Sequence, residues 1–571
     1  MKRIVKGGCL TVCALMFSFS CMAVKAKPGI IDFIDGEGKT VQILLHGDES
    51  FHFVTDTQDN VMFLNERNVF EHLLLNDKQI KGAEYIRTIE SDRLLKEKVV
   101  SGRNLSAPTS KKAKYTYSTS AFPTIGEPHS LVILVEYPDH GFNVENPKEY
   151  FEDFLNGENF TRDNGTGSVG KFYVENSKGA FKPTYDVYGP VKLKNKRRFY
   201  GGGDEDNAKY MVVEAVEALD ETVDFSIYDH NDDGYVDSVY IIYSDKGEAD
   251  SGIDETVWPY SWELEDEDIF LSADGVKFNT YGCSNEIQSD GDIEGIGTFT
   301  HEFGHVLGLP DLYNTEKYND YSTPMEWSLM DSGSYNNDSR TPCNLSSFER
   351  YSLGWLTPEE LVASGNYSIG NLAETNKAFI MTSEEKEDEF FILEYRMNTG
   401  WDTYLPSHGM LIWHIDFDQR MWDWNTVNNI SNHQYVRLVR ADNSADLRSL
   451  EGDSFPGTST VTAFGKNTIP ALKSWRNTDL NVTLLSNITE NINDERCSFD
   501  VEVNEFRGSA GIENPALGPQ FFISGQYIMV SEGEYTVYDL SGRTVGVVSK
   551  GNPLRLNKGI YISAGKKIMV K

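Results

Sequence analysis

The stretch "HEFGHVLGLPD", His301 to Asp311, decides the fold. Two histidines four residues apart leave a helix one turn apart on the same face. Their nitrogens suit a borderline metal such as zinc. The flanking residues predict a helix from about 293 to 307. Ile296, Phe299, Phe303 and Val306 recur at helical spacing and face a core, while Thr298, His301, Glu302 and His305 fall on an exposed side. From that side Glu302 can take a proton from a metal-bound water, whose pKa zinc lowers to about 7. Gly308 allows a sharp turn, Pro310 prevents the helix from continuing, and Asp311 comes back toward the metal with an acceptor-only carboxylate. His301, His305 and Asp311 would be three protein ligands with a position left for water, as in catalytic zinc sites. Glu326 is the alternative third ligand.

Upstream of the motif, strands and helices alternate. "LVILVEYPD", Leu131 to Asp139, and "DSVYIIYS" are apolar enough to be buried strands. "NPKEYFEDFLNG" and "NAKYMVVEAVEALD" carry helical spacing, the second with an apolar face of Tyr210, Met211, Val213, Ala215 and Val216. This α/β region reaches the metal motif. From about residue 376 the texture becomes strand-like, as in "EFFILEYR" and "GMLIWHIDF", so an all-β unit follows. His414 and Asp416 in the latter carry no assigned chemistry. "RGSAGIENPALGP" is a linker, and the last 50 or so residues form another small β unit with a tight turn at Ser541-Gly542.

A second motif is "DHNDDGYVD". Asp229, Asn231, Asp233 and Asp237 alternate, Gly234 lets the chain bend, and the Tyr235 carbonyl adds an oxygen, a set suited to calcium. Tyr240 stands where an EF-hand has its bidentate glutamate, and a strand follows. The expectation is therefore a structural calcium loop and not a sensor.

The chain has 571 residues and a formal net charge of -36, which argues against nucleic acid as a partner. Lys2, Arg3 and Lys6 precede a short apolar run and small residues at Val24 and Ala26, the pattern of a secretory signal peptide ending near Ala26. No later segment has the apolar length of a transmembrane helix. Cys283, Cys343 and Cys497 remain after the leader, with Cys283–Cys343 as the expected pair if one bridge forms and buried free thiols as the alternative.

The motif resembles the metzincin-like zinc peptidases, which implies that Met330 in "EWSLMDSGSY" lies in a turn beneath the metal without binding it. A wider set of segments is similar to the immune inhibitor A family of secreted metalloproteases. They are "LVILVEYPD", "GSVGKFYVENSKGAFKP", "DHNDDGYVD", "HEFGHVLGLPDLY", "WSLMDSGS", "LGWL", "FILEYRMNTGWDTYLPSHGMLIWHID" and "GDSFPG". That resemblance implies a secreted zinc endopeptidase acting on protein or peptide substrates and made with an N-terminal propeptide. The C-terminal features "VYDLSGRTV", "LNKGIYI" and "KKIMVK" resemble the sorting domains handled by the type nine secretion machinery, which implies export to the cell surface or beyond.

The expected organisation is a multidomain chain, an α/β metzincin-like zinc protease domain followed by all-β domains. Residues 1–26 are the signal peptide, 27–118 the propeptide and 119–375 the catalytic domain. Residues 376–505 form a β-sandwich-like domain, and 506–571 the linker and sorting-type β unit. The propeptide lacks cysteine, so His46, Asp48 or His52 is the expected group to block the metal.

Overall fold

The structure is a computed structural model. It describes residues 22–48, 52–88, 122–201, 207–315, 323–504 and 521–570, with short breaks at 66, 76–77, 384, 387, 445, 447–448 and within 525–565. Most of the expected leader, the basic linker after residue 88, the linker before 521 and the Ser541-Gly542 turn lie outside the described residues. Two compact units are present, Met1–Asn504 and Glu505–Lys571.

A six-stranded sheet organises the first unit. Its order is Met22–Ala23, Tyr260–Glu263, Thr280–Ile287, Val239–Lys246, His129–Glu136 and Thr184–Lys192. The last four strands run parallel. Tyr260–Glu263 lies antiparallel on Thr280–Ile287, and Met22–Ala23 lies antiparallel on Tyr260–Glu263. Both faces of the sheet are covered, which is why "LVILV" is a continuous apolar run. Leu131, Ile133 and Val135 enter one core with Met211, Val212 and Ala215 of the helix Lys209–Leu219. On that helix Tyr210 is exposed, so the buried face is rotated from the expected one toward Val212.

Val132 and Leu134 enter the opposite core, with Phe154, Phe172, Phe299 and Phe303. This core does not stop at residue 375. It continues into Phe390, Ile392, Leu411 and Trp413, on the strands Glu389–Arg396 and Gly409–Asp416 of a second sheet. The alternate residues Phe391, Leu393, Met410 and Ile412 pack with Phe464, Leu485 and Phe499 in a third core. The two strands are thus buried on both faces and join the half that carries the motif helix to the β-rich half.

No bridge forms between Cys283 and Cys343; both are buried free thiols, as is Cys497. Cys283 belongs to the core with the helix Lys209–Leu219, and Cys343 to the core with Phe303. The central sheet stands between them, beyond the reach of a disulfide.

Residues 30–72 form a separate five-stranded antiparallel sheet. The second unit is built from three- and four-stranded sheets around Ile528, Val537 and Val548.

Candidate metal centre

The motif helix runs from Ile296 to Val306, and all its residues are buried, including the side expected to face solvent. Gly304 lies between the two histidines, and its missing side chain is required: a Cβ there would stand 2.7 Å from Met330 Sδ. Met330 is fully buried under this turn of the helix. The neighbouring carbonyl of Leu329 accepts from His301 Nδ1 at 2.8 Å, and that of Leu309 accepts from His305 Nδ1 at 2.8 Å. A carbonyl can only accept, so both neutral rings carry their proton on Nδ1 and present a lone pair at Nε2.

Those lone pairs converge. The two Nε2 atoms are 3.2 Å apart, and Asp311 Oδ1 lies 3.1 Å from His301 Nε2 and 3.3 Å from His305 Nε2. Three electron-pair donors share a site in which no donor proton stands between them. The edge of a tetrahedron with zinc–nitrogen bonds of about 2.05 Å is about 3.3 Å, so the spacing fits a tetrahedral zinc. Among the described residues, no other group of three His, Cys, Asp or Glu side chains gathers in this way. Glu326 is not in the group; it is half-buried, and burial raises its carboxyl above the usual range.

Asp311 reaches the site because the helix ends at Val306 and Gly308 adopts φ +92°. It is then held from an unforeseen direction. Asn425 Nδ2 donates to Asp311 Oδ2 at 2.6 Å, and the Asp311 amide donates to Asn425 Oδ1 at 2.7 Å. Trp422 Nε1 donates to the Gly308 carbonyl at 2.9 Å, and Asn428 Nδ2 to that of Leu312 at 2.7 Å. These residues follow the double-faced strand Gly409–Asp416, so the β half fixes the loop that carries Asp311.

Glu302 is fully buried beside the histidines. Burial pushes its carboxyl up to about 8, against the lowering effect of His301. Its Oε1 accepts from the Val24 amide at 2.8 Å, and its Oε2 is buried without a hydrogen-bond partner.

Residues 23–25 therefore occupy the space next to the glutamate. His46 instead pairs with Thr55 Oγ1 at 2.8 Å, and His52 with Glu248 at 2.9 Å while packing on Trp258. Asp48 is buried, and its carbonyl contacts the His52 ring at 3.1 Å.

In the loop expected to hold calcium, side chains turn onto their own backbone. Asp229 accepts from the amides of Asp233 and Gly234, Asn231 from Asp233, and Asp233 from Tyr235. Asp237 Oδ2 is 2.7 Å from His230 Nδ1, and its Oδ1 is buried without a partner. The three aspartates do not gather as a ligand cluster. His414, on the strand Gly409–Asp416, is paired with Glu389 at 2.9 Å and stacked on Phe391; Asp416 pairs with His433 and Arg476.

Residues 129–357 match the family described as immune inhibitor A peptidase M6, catalytic domain. Over this stretch the chain is similar to the catalytic domain of the immune inhibitor A peptidases. Immune inhibitor A of Bacillus thuringiensis subsp. alesti is 25% identical over 280 residues, 42% of this chain and 40% of the relative. The pre-pro-metalloprotease PrtV of Vibrio cholerae serotype O1 (strain M66-2) is 25% identical over 338 residues, 48% of this chain and 36% of that protein. The chain thus spans about two fifths of the length of these curated relatives. Asn425 lies beyond residue 357, where the family match ends.

Proposed function

We propose that the protein is a zinc-dependent endopeptidase of metzincin-like fold. The observation that carries this is the convergence of two carbonyl-locked imidazoles and Asp311 beside Glu302. His301, His305 and Asp311 would hold the ion, with Met330 packed beneath. Bound zinc supplies a Lewis acid for the scissile carbonyl and acidifies a water. Glu302 accepts the proton of the attacking water through its unpartnered oxygen and hands a proton to the leaving amide nitrogen. The Val24 amide, which donates to Glu302 Oε1, shows that a peptide nitrogen can come within reach of this carboxylate. The family match and the two relatives named for peptidase activity support hydrolysis of protein substrates.

The test is cleavage of casein by the secreted protein, with and without a zinc chelator, alongside Glu302→Gln. Chelation should abolish cleavage and zinc should restore it. Glu302→Gln should retain zinc yet lose activity by roughly two to four orders of magnitude. Near-normal turnover in that variant rules the mechanism out.

Zymogen synthesis, secretion and sorting belong to the same proposal. A separate N-terminal sheet, docked through His52 on Glu248, supports a precursor form. Export by a leader and by type nine machinery rests on the sequence features alone. Calcium at residues 229–237 rests on the alternating acidic pattern and on the buried Oδ1 of Asp237.

A further inference from the structure

Met22–Lys27 lie in the cleft as an extended peptide would. The backbone pairs antiparallel with the edge strand, Met22 with Ser261 and Ala23 with Tyr260. Each of the next carbonyls meets an aromatic side-chain donor. Tyr313 Oη donates to Ala23, Trp258 Nε1 to Val24 at 2.8 Å, and Tyr335 Oη to Lys25 at 2.7 Å. The Val24 amide is on Glu302. The Ala23–Val24 peptide thus has its carbonyl on Tyr313 and its nitrogen on Glu302, so it is the peptide link of this segment that lies against the glutamate. All of these contacts recognise main chain, which every peptide offers.

Two side chains meet carboxylates: Lys27 Nζ lies 3.3 Å from the exposed Asp338, and Lys25 meets a buried one. Lys25 Nζ reaches Asp331 Oδ1 at 2.8 Å, and Asp331 has no exposed surface. The ammonium also lies 5.9 Å from the centre of the Tyr313 ring. Glu326 borders the same place: the charges of Lys25 and Asp331 both act on it, and its Oε2 is buried without a partner. The flanking residues are small or apolar and fully covered, Ala23 and Val24 at 0% and 1% exposure. Lys25 is the side chain of this segment that is held on a fully buried carboxylate.

Resting on the peptidase reading above, we propose that Asp331 is a specificity-determining residue. It selects substrates with lysine or arginine as the second residue after the cleaved bond, in the register of Lys25 relative to Ala23–Val24. Asp331 also accepts from the amides of Ser332 and Met325 and from Thr323 Oγ1, so its carboxylate is held rigidly where the cation arrives. Arginine, being longer and forked, also has the free oxygen of Glu326 as an acceptor.

The experiment uses the secreted, processed enzyme and peptides identical except at that position, which carries Lys, Arg, norleucine, Ala or Glu. Cleavage points are read by mass spectrometry. The expected result is a kcat/KM for Lys and Arg about tenfold or more above norleucine, the size of one charge-assisted contact to a buried carboxylate, with Glu lowest. In Asp331→Asn the Lys-to-norleucine ratio should fall toward one. That ratio is internal to each enzyme preparation, and the norleucine peptide tests the proposal on the unaltered protein if the variant does not fold. Chelator-sensitive casein cleavage with a Lys-to-norleucine ratio within about twofold overturns the pocket and leaves the peptidase reading standing. Absence of chelator-sensitive cleavage overturns the peptidase reading instead.

Discussion

Asn425 binds no metal in the geometry described, yet it grips Asp311 by both carboxylate and amide. Partners of this kind orient a ligand, and losing one typically costs about 10- to 100-fold in metal affinity. Asn425→Ala should therefore weaken zinc binding by that factor, measured by competition with a chromophoric chelator, while the circular dichroism spectrum stays that of the parent. Unchanged zinc affinity would show that Asp311 is positioned by its own loop. At the same scale, Cys283 and Cys343 sit on opposite sides of a sheet as free thiols. A reducing agent should leave the thermal midpoint unshifted, and a fall of several degrees would show that a disulfide is present. The sequence could place His301, Glu302, His305 and Asp311 because they are neighbours along one helix and one turn. It could not place Asn425, 114 residues from Asp311, or the three aromatic donors of the cleft. An asparagine in a polar loop or a tyrosine after a metal motif has no periodicity to betray what it will touch.

Elements were legible where the pattern repeats. "LVILVEYPD" becomes the strand His129–Glu136, and "NPKEYFEDFLNG" the helix Pro147–Asn156, because burial on two faces and amphipathic spacing both leave marks in composition. The motif helix departs from its expected pattern. Its polar side is covered by residues 23–25, which reach across 278 positions of chain to Glu302. Long-range covering of this sort is invisible to a local window. Strand Glu389–Arg396 was also legible only in part: its apolar run announced burial, but not that its two faces serve two different cores.

For the whole molecule, that shared strand makes the catalytic and β halves one cooperative body. A chain ending at residue 375 loses Phe390, Ile392, Leu411 and Trp413 from the core that supports Phe299 and Phe303. It should be insoluble or lack a cooperative unfolding transition. A chain ending at Asn504, where the first compact unit ends, should remain folded and keep its chelator-sensitive activity. Activity in the shorter chain would show that the core on the catalytic side suffices alone. The grip of Asn425 on Asp311 also bears on ancestry. The text of the metal site is eleven letters long, but its meaning is completed more than a hundred letters later. A genetic exchange that broke the chain between Asp311 and Asn425 would hand on two histidines and an aspartate without the residue that keeps them together. The unit that keeps the three donors together therefore extends past residue 357 as far as Asn425.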